Sequence, residues 1–233
     1  MKLTSQIASV AIFLLANGTL SATQLYNLDF SAPEVGSYQT VFGSPSVQSS
    51  VGPFSSALMF HAVTTYDQIR LPIEIAAPHY EIQYDVLVHN VVNSQYSFNI
   101  LLDTPEVRTL DFHGGLNTIY VFQPYGSATL ATLSNDRVYH VGISVNLLAN
   151  LWTVSLDGVQ EFASPINASS LQAIRFNMSP WIGGAGNAPG TYAALDNVTI
   201  EAVPEPGSGA LASMGLLVWL LSVYSRSQKN GFV

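Results

Sequence analysis

The 233-residue chain has no cysteine, only seven lysines and arginines together, and a charged fraction of 9%. A typical globular domain is about 25% charged, so ordinary surface charge is scarce here. Without thiols there is no disulfide framework, no thiolate metal ligand and no cysteine nucleophile. Seven basic residues face fifteen acidic ones, for a net charge of −8. Such a balance repels phosphate and excludes nucleic acid as a partner. Lysine is missing altogether between residues 23 and 203, where Arg70, Arg108, Arg137 and Arg175 are the only strong cations. Fourteen of the fifteen acids lie in that span, so the body of the protein is near −10. Hydrophobic residues nevertheless reach 48%, which excludes a disordered chain.

Part of that apolar content belongs to the chain ends. Behind Lys2, the run from Ile7 to Ala16 is too short to cross a bilayer but suits the core of a signal peptide. Small residues follow at Gly18, Ser21 and Ala22, which places cleavage near Ala22–Thr23 and makes residues 1–22 the signal. At the other end, Val203-Pro204-Glu205-Pro206 cannot continue a strand, because each proline removes a donor and fixes φ. A short Gly207-Ser208-Gly209 spacer leads into an apolar segment from Ala210 to Tyr224, closed by Arg226 and Lys229. The segment, residues 208–224, is at the lower limit of length for a helical span of roughly 30 Å of hydrocarbon. The two cations beyond it favour a cytoplasmic C-terminus.

This order resembles the PEP-CTERM sorting signal of Gram-negative bacteria, carried here by Val203, Pro204, Glu205, Pro206, Arg226 and Lys229 within residues 203–229. The resemblance implies processing by an exosortase, membrane delivery through the C-terminal helix, and a place at the cell surface or in extracellular polysaccharide. Arg226 and Lys229 are spaced and followed by a 230–233 tail, where the family usually has an arginine cluster. A plain single-pass anchor is the alternative.

Between the ends the hydrophobic period is two. Glu81-Ile82-Gln83-Tyr84-Asp85-Val86 alternates polar and apolar, and so does Tyr139 to Val145. Comparable runs occur at 25–30, 57–63, 68–75, 96–102, 107–112, 118–122, 128–133, 171–176 and 192–201, separated by turn signals such as Ser134-Asn135-Asp136. Asp157-Gly158 is the strongest of these signals, since the pair accepts the positive φ values of a type I′ hairpin. Ten or more short strands with no helical pattern predict an all-β, antiparallel two-sheet sandwich over residues 23–202.

Two stretches narrow that expectation. Trp152-Thr153-Val154-Ser155-Leu156-Asp157-Gly158 resembles a hairpin of laminin-G-like and other concanavalin-A-like jelly rolls. Tyr192 to Ile200 resembles the closing strand of extracellular jelly-roll and carbohydrate-binding modules. The resemblance implies a jelly roll, a fold that hosts enzymes, lectins and inert spacers alike.

The enzymatic lead is Glu81, Gln83 and Asp85, which share one strand face at i, i+2 and i+4. Concanavalin-A-like glucanases carry two glutamates around an aspartate in such a row. Here the centre is glutamine and the last member is aspartate, so the row departs from the pattern at two of three positions. Retaining hydrolysis needs carboxyl groups about 5–5.5 Å apart, while i and i+4 of a strand are about 13 Å apart at Cα. A solvated strand face is the simpler expectation. No serine sits in a Gly-x-Ser-x-Gly setting, so no nucleophile triad can be assembled.

The five histidines, His61, His79, His89, His113 and His140, show no zinc spacing, and most are expected to be ordinary surface or edge-strand residues. The jelly-roll resemblance implies one structural calcium clipping the first and last strands, with Asp29 and Asp196 as its candidates. Trp152 alternates in phase with Val154 and Leu156 and is expected in the core. Trp181, in a glycine-rich loop at 179–190, is the candidate stacking surface for a glycan or else a lid over the sandwich. The sequons at Asn167, Asn177 and Asn197 match only a short pattern. The sequence thus points to an exported, non-enzymatic surface or matrix protein linked to exopolysaccharide. A lectin-like carbohydrate-binding module is the alternative, and a degenerate β-glucanase comes third.

Overall fold

Alternation of apolar and polar residues is carried through into fifteen strands and no helix among the described residues. A computed structural model describes residues 22–30, 38–62, 66–124, 126–180 and 188–204. One compact unit spans Thr23–Val203. Residues 1–21 of the signal-peptide segment, Glu205, Pro206, the 208–224 segment, Arg226, Lys229 and Trp181 lie outside the described residues. Among those described, no helix is long and apolar enough to cross a membrane.

The strands form two antiparallel sheets packed as a sandwich. The eight-stranded sheet runs, edge to edge, through β13 (Val159–Ser164), β12 (Leu151–Leu156), β11 (Val138–Asn146), β6 (His79–His89), β15 (Tyr192–Val203), β4 (Phe54–His61) and β3 (Ser46–Val51). Its eighth member, β1 (Thr23–Leu28), pairs with the second half of β15. The seven-stranded sheet runs through β10 (Gly126–Thr132), β9 (Thr118–Gln123), β8 (Arg108–His113), β7 (Tyr96–Asp103), β14 (Ala173–Pro180), β5 (Asp67–Pro72) and β2 (Gln39–Phe42).

The period-two pattern sends one set of side chains inward from each sheet. On β6 the buried set is Tyr80, Ile82, Tyr84, Val86 and Val88, which leaves Glu81, Gln83 and Asp85 on the outer face. Aromatic rings join the layers edge to face: Tyr84 meets Phe176 at 5.2 Å between centroids, and Phe60 meets Phe98 at 5.4 Å. Such pairs add about 0.5–1.5 kcal/mol to the burial of their area. Trp152 is buried as expected, packed edge-on against Phe162 at 5.2 Å.

The Asp157-Gly158 hairpin forms with φ of 52° and 81°, the signs a type I′ turn requires. Asp157 also binds β11 through Oδ1, which accepts the His140 N–H at 3.0 Å, and it pairs with Arg137. β2 and β3 were not expected from the sequence. They are almost wholly exposed edge strands, so no buried alternation marks them. His113 is the buried one among the histidines: it sits on β8, inside the seven-stranded sheet.

Candidate functional site

Cross-strand register brings four strands of the eight-stranded sheet into one polar surface. Ser155 of β12, Gly142 of β11, Gln83 of β6 and Thr199 of β15 are successive partners along a single rung. Two residues away on β11 and β6, His140 lies opposite Asp85. On the other side of that rung, Thr153, Ser144, Glu81 and Glu201 are partners in turn. The central rung is low because Gly142 has no side chain. Its φ is not in the left-handed region, so the backbone does not call for glycine here and any restriction comes from space. A Cβ there would meet Ser155 Oγ at 2.5 Å.

The result is a cleft of about 520 Å³ lined by Gln83, Asp85, His140, Gly142, Ser155, Asn197 and Thr199. Asp85 organises its upper wall. Its Oδ1 accepts from His140 Nδ1, and its Oδ2 accepts from Asn197 Nδ2 at 2.8 Å. An ionised carboxylate only accepts, so this contact calls for a proton on His140 Nδ1. Asn197 reaches this position because β15 is irregular there: its register against β6 shifts between Asp196 and Thr199, and Asn197 has φ of 52°. At the lower wall, His79 Nε2 lies 2.6 Å from Glu81 Oε1 and 2.8 Å from Ser144 Oγ.

Glu81, Gln83 and Asp85 therefore do share a face, as the sequence predicted, but each acid is engaged by its own histidine. His140, Asn197 and Gly142 were not singled out as site residues. Only the glycine left a signal, since a glycine inside a strand often marks a place where another group approaches closely.

Asp196 is 6% exposed, and the structure sets it beside Asp29. Burial pushes its carboxyl above the usual range, and the nearby Asp29 and Asp85 push the same way. Backbone N–H groups of Asn197 and Phe30 oppose this by donating to it. Its Oδ1 has no hydrogen-bond partner among the described residues. A buried carboxylate oxygen of this kind suits a hard cation. No group of three or more His, Cys, Asp or Glu able to hold a metal occurs among the described residues, so backbone carbonyls or water would have to complete a calcium shell.

The outer face of the seven-stranded sheet carries a second polar row. Asn177 donates to Asn99 at 3.1 Å, and Asn99 donates to Asp111 at 2.7 Å. Burial raises the Asp111 carboxyl above its ordinary range, against the pull of His113. Asn177, one of the three sequon asparagines, is buried in this row.

No protein-family model matches the chain, and no curated protein does. Solved structures do match it in fold. An apo Crh5 transglycosylase superposes with a TM-score of 0.58 at 14% identity, covering 84% of this chain and 94% of that one. The same transglycosylase in complex with NAG gives 0.57 at 13% identity, over 78% and 84% of the two chains. A sialidase matches with a TM-score of 0.51 at 14% identity over 66% of this chain; the match spans only 16% of the sialidase. At these identities the likeness shows the fold alone.

Proposed function

We propose that this protein binds carbohydrate through the cleft on the outer face of the eight-stranded sheet. The carrying observation is the cleft itself, about 520 Å³ with a glycine floor and walls of carboxylate, imidazole, carboxamide and hydroxyl groups. Its volume falls within the roughly 300–1,000 Å³ of small-molecule sites. Sugar hydroxyls both donate and accept, and they match a lining that offers both roles. The fold's likeness to a transglycosylase found with NAG supports this class of ligand. Isothermal titration of the full chain, held in detergent, against an oligosaccharide panel tests the reading. A saturable ligand whose affinity falls at least tenfold in Asp85→Ala is expected, because that change releases both His140 and Asn197. Silence across neutral, amino and acidic oligosaccharides overturns it.

The reading is non-enzymatic. Glu81 and Asp85 are about 13 Å apart at Cα, with glutamine between them and a histidine on each. Release of reducing sugar that disappears in Glu81→Gln would overturn this part.

Outside the sandwich, we read residues 1–22 as the export signal and 203–229 as a PEP-CTERM-like sorting and anchoring signal served by an exosortase. This places the jelly-roll body at the cell surface or in the extracellular matrix. Fractionation of cells with and without the exosortase tests it. Identical size and location in both would leave a simple anchor. A calcium ion at Asp29 and Asp196 completes the proposal as a structural clip.

A further inference from the structure

Two of the four arginines between residues 23 and 203 meet on the outer face of the seven-stranded sheet. Ile69 and Leu71 on β5, and Ile174 and Phe176 on β14, belong to the core, so Arg70 and Arg175 between them point outward. The two stand directly opposite each other, a position in which like charges destabilise a sheet. A single carboxylate serves both. Asp103 Oδ1 accepts from Arg175 Nε at 2.8 Å and from Nη2 at 2.5 Å, while Arg70 Nε stays 3.9 Å from Oδ2. The Arg70 side chain is 33% exposed and makes no hydrogen bond among the described residues. One positive charge is thus left over on this face, in a body near −10.

The neighbouring rung carries an independent sign of a missing partner. Asn177 lies two residues from Arg175 on β14 and faces the same way, between the core residues Phe176 and Met178. Asn99 sets the direction of its amide. Asn99 Nδ2 donates to Asp111, so Asn99 Oδ1 accepts from Asn177 Nδ2. Asn177 Oδ1 is then an open acceptor: the residue is 6% exposed, and that oxygen has no partner among the described residues. Gln68, directly opposite on β5, does not close it. On the far side of Gln68 the same rung ends at Phe42 of β2, an exposed ring 6.2 Å from the exposed ring of Tyr66.

We infer that this patch is a second glycan site and that it takes acidic sugars of the uronate type. It goes beyond the cleft reading, which concerns the other sheet. A guanidinium fork matches a carboxylate with two parallel, charge-assisted bonds, and Arg70 has its fork to offer. The two rungs are about 6.6 Å apart along a strand, so a carboxylate on Arg70 brings the hydroxyls of its ring within reach of Gln68 and Asn177. A sugar hydroxyl supplies the proton that Asn177 Oδ1 lacks. Phe42 and Tyr66 give the apolar face of a ring a surface to lie on. A bare anion would use the arginine alone, and a neutral sugar would leave the surplus charge unanswered.

Titration of the full chain in detergent with oligogalacturonates and with their methyl esters tests this, since esterification removes the charge and keeps the ring. The acid form is expected to bind at least tenfold tighter than the ester, and that ratio is expected to shrink with added salt. In Arg70→Gln, checked by its melting curve, the ratio is expected to fall toward one. Phe42→Ala, an exposed change on an edge strand, is expected to weaken the acid form severalfold. Gly142→Leu, which fills the cleft on the other sheet, is expected to leave the ratio as it is. No preference for the acid form overturns this inference, and so does a preference that Arg70→Gln keeps or Gly142→Leu abolishes. An Arg70-dependent preference indifferent to Phe42→Ala reduces the site to a bare anion contact and overturns the sugar. None of these results decides the cleft reading, which stands or falls on Asp85→Ala.

Discussion

Asp85 and Asp196 oppose each other across the β6–β15 ladder, and they differ in what holds them. Asp85 has a histidine and an asparagine on its two oxygens, whereas Asp196 keeps one buried oxygen without a partner among the described residues. The charged form of Asp196 is therefore the strained one.

That difference sets a pH signature. Burial, with Asp29 and Asp85 adding to it, raises the Asp196 carboxyl above its unfolded value. The folded state then holds its proton more tightly, and stability from this group falls as pH rises through the raised value. Asp196→Asn, which cannot ionise, should melt higher than the parent at neutral pH in chelator, and the gap should close in acid. Calcium should raise the parent's melting temperature and leave the variant's unmoved. Scanning fluorimetry with chelator or calcium checks both. A parent indifferent to calcium would remove the metal from Asp29 and Asp196.

The cleft floor gives a second test. A Cβ at residue 142 would meet only the hydroxyl end of Ser155, a side chain able to turn aside. Alanine in a strand interior also gains roughly 0.5–1 kcal/mol over glycine in backbone entropy. Gly142→Ala should therefore fold with near-parent stability, and Gly142→Leu should fill the trough. Glycan affinity is expected to drop severalfold in the first and to vanish in the second. Unchanged affinity in Gly142→Leu would place the ligand elsewhere on the molecule.

The sheet and the cleft were unequally legible in the sequence. β6, β11 and β12 are half-buried, so their alternation states both the element and its inward face; Trp152 and the Asp157-Gly158 turn follow from that. β2 and β3 bury almost nothing, and a strand without a buried face leaves no period to read. The site was harder for another reason. His140 is 55 residues from Asp85 and Asn197 is 112 residues from it. Their meeting depends on strand order and on the β15 irregularity, and neither is written in any local window.

The turn between β12 and β13 tests whether that local legibility has energetic content. Gly158 has φ of 81°, and nothing lies within 4 Å of where its Cβ would be, so only backbone strain opposes a substitution. Placing an L side chain in that region costs about 1–2 kcal/mol. Gly158→Ala should lower the melting temperature by a few degrees, on the order of 2–4 °C per kcal/mol for a domain of this size. Asp157→Ala should cost a similar amount, because it loses the bond to the His140 N–H and the pair with Arg137.

Trp152 separates packing from hydrogen bonding in the core. It is among the largest fully buried side chains, and its indole Nε1 has no hydrogen-bond partner among the described residues. Replacement by phenylalanine therefore sacrifices volume and no hydrogen bond, while the edge-on contact with Phe162 can persist. Trp152→Ala removes nearly the whole side chain and should cost about 3–5 kcal/mol. Trp152→Phe should cost less than half as much. Urea unfolding, followed by far-UV circular dichroism so that the lost fluorophore does not matter, measures both. Equal destabilisation by the two variants would mean that the indole nitrogen holds a bond, and that the core at β12 is wetter than its packing indicates.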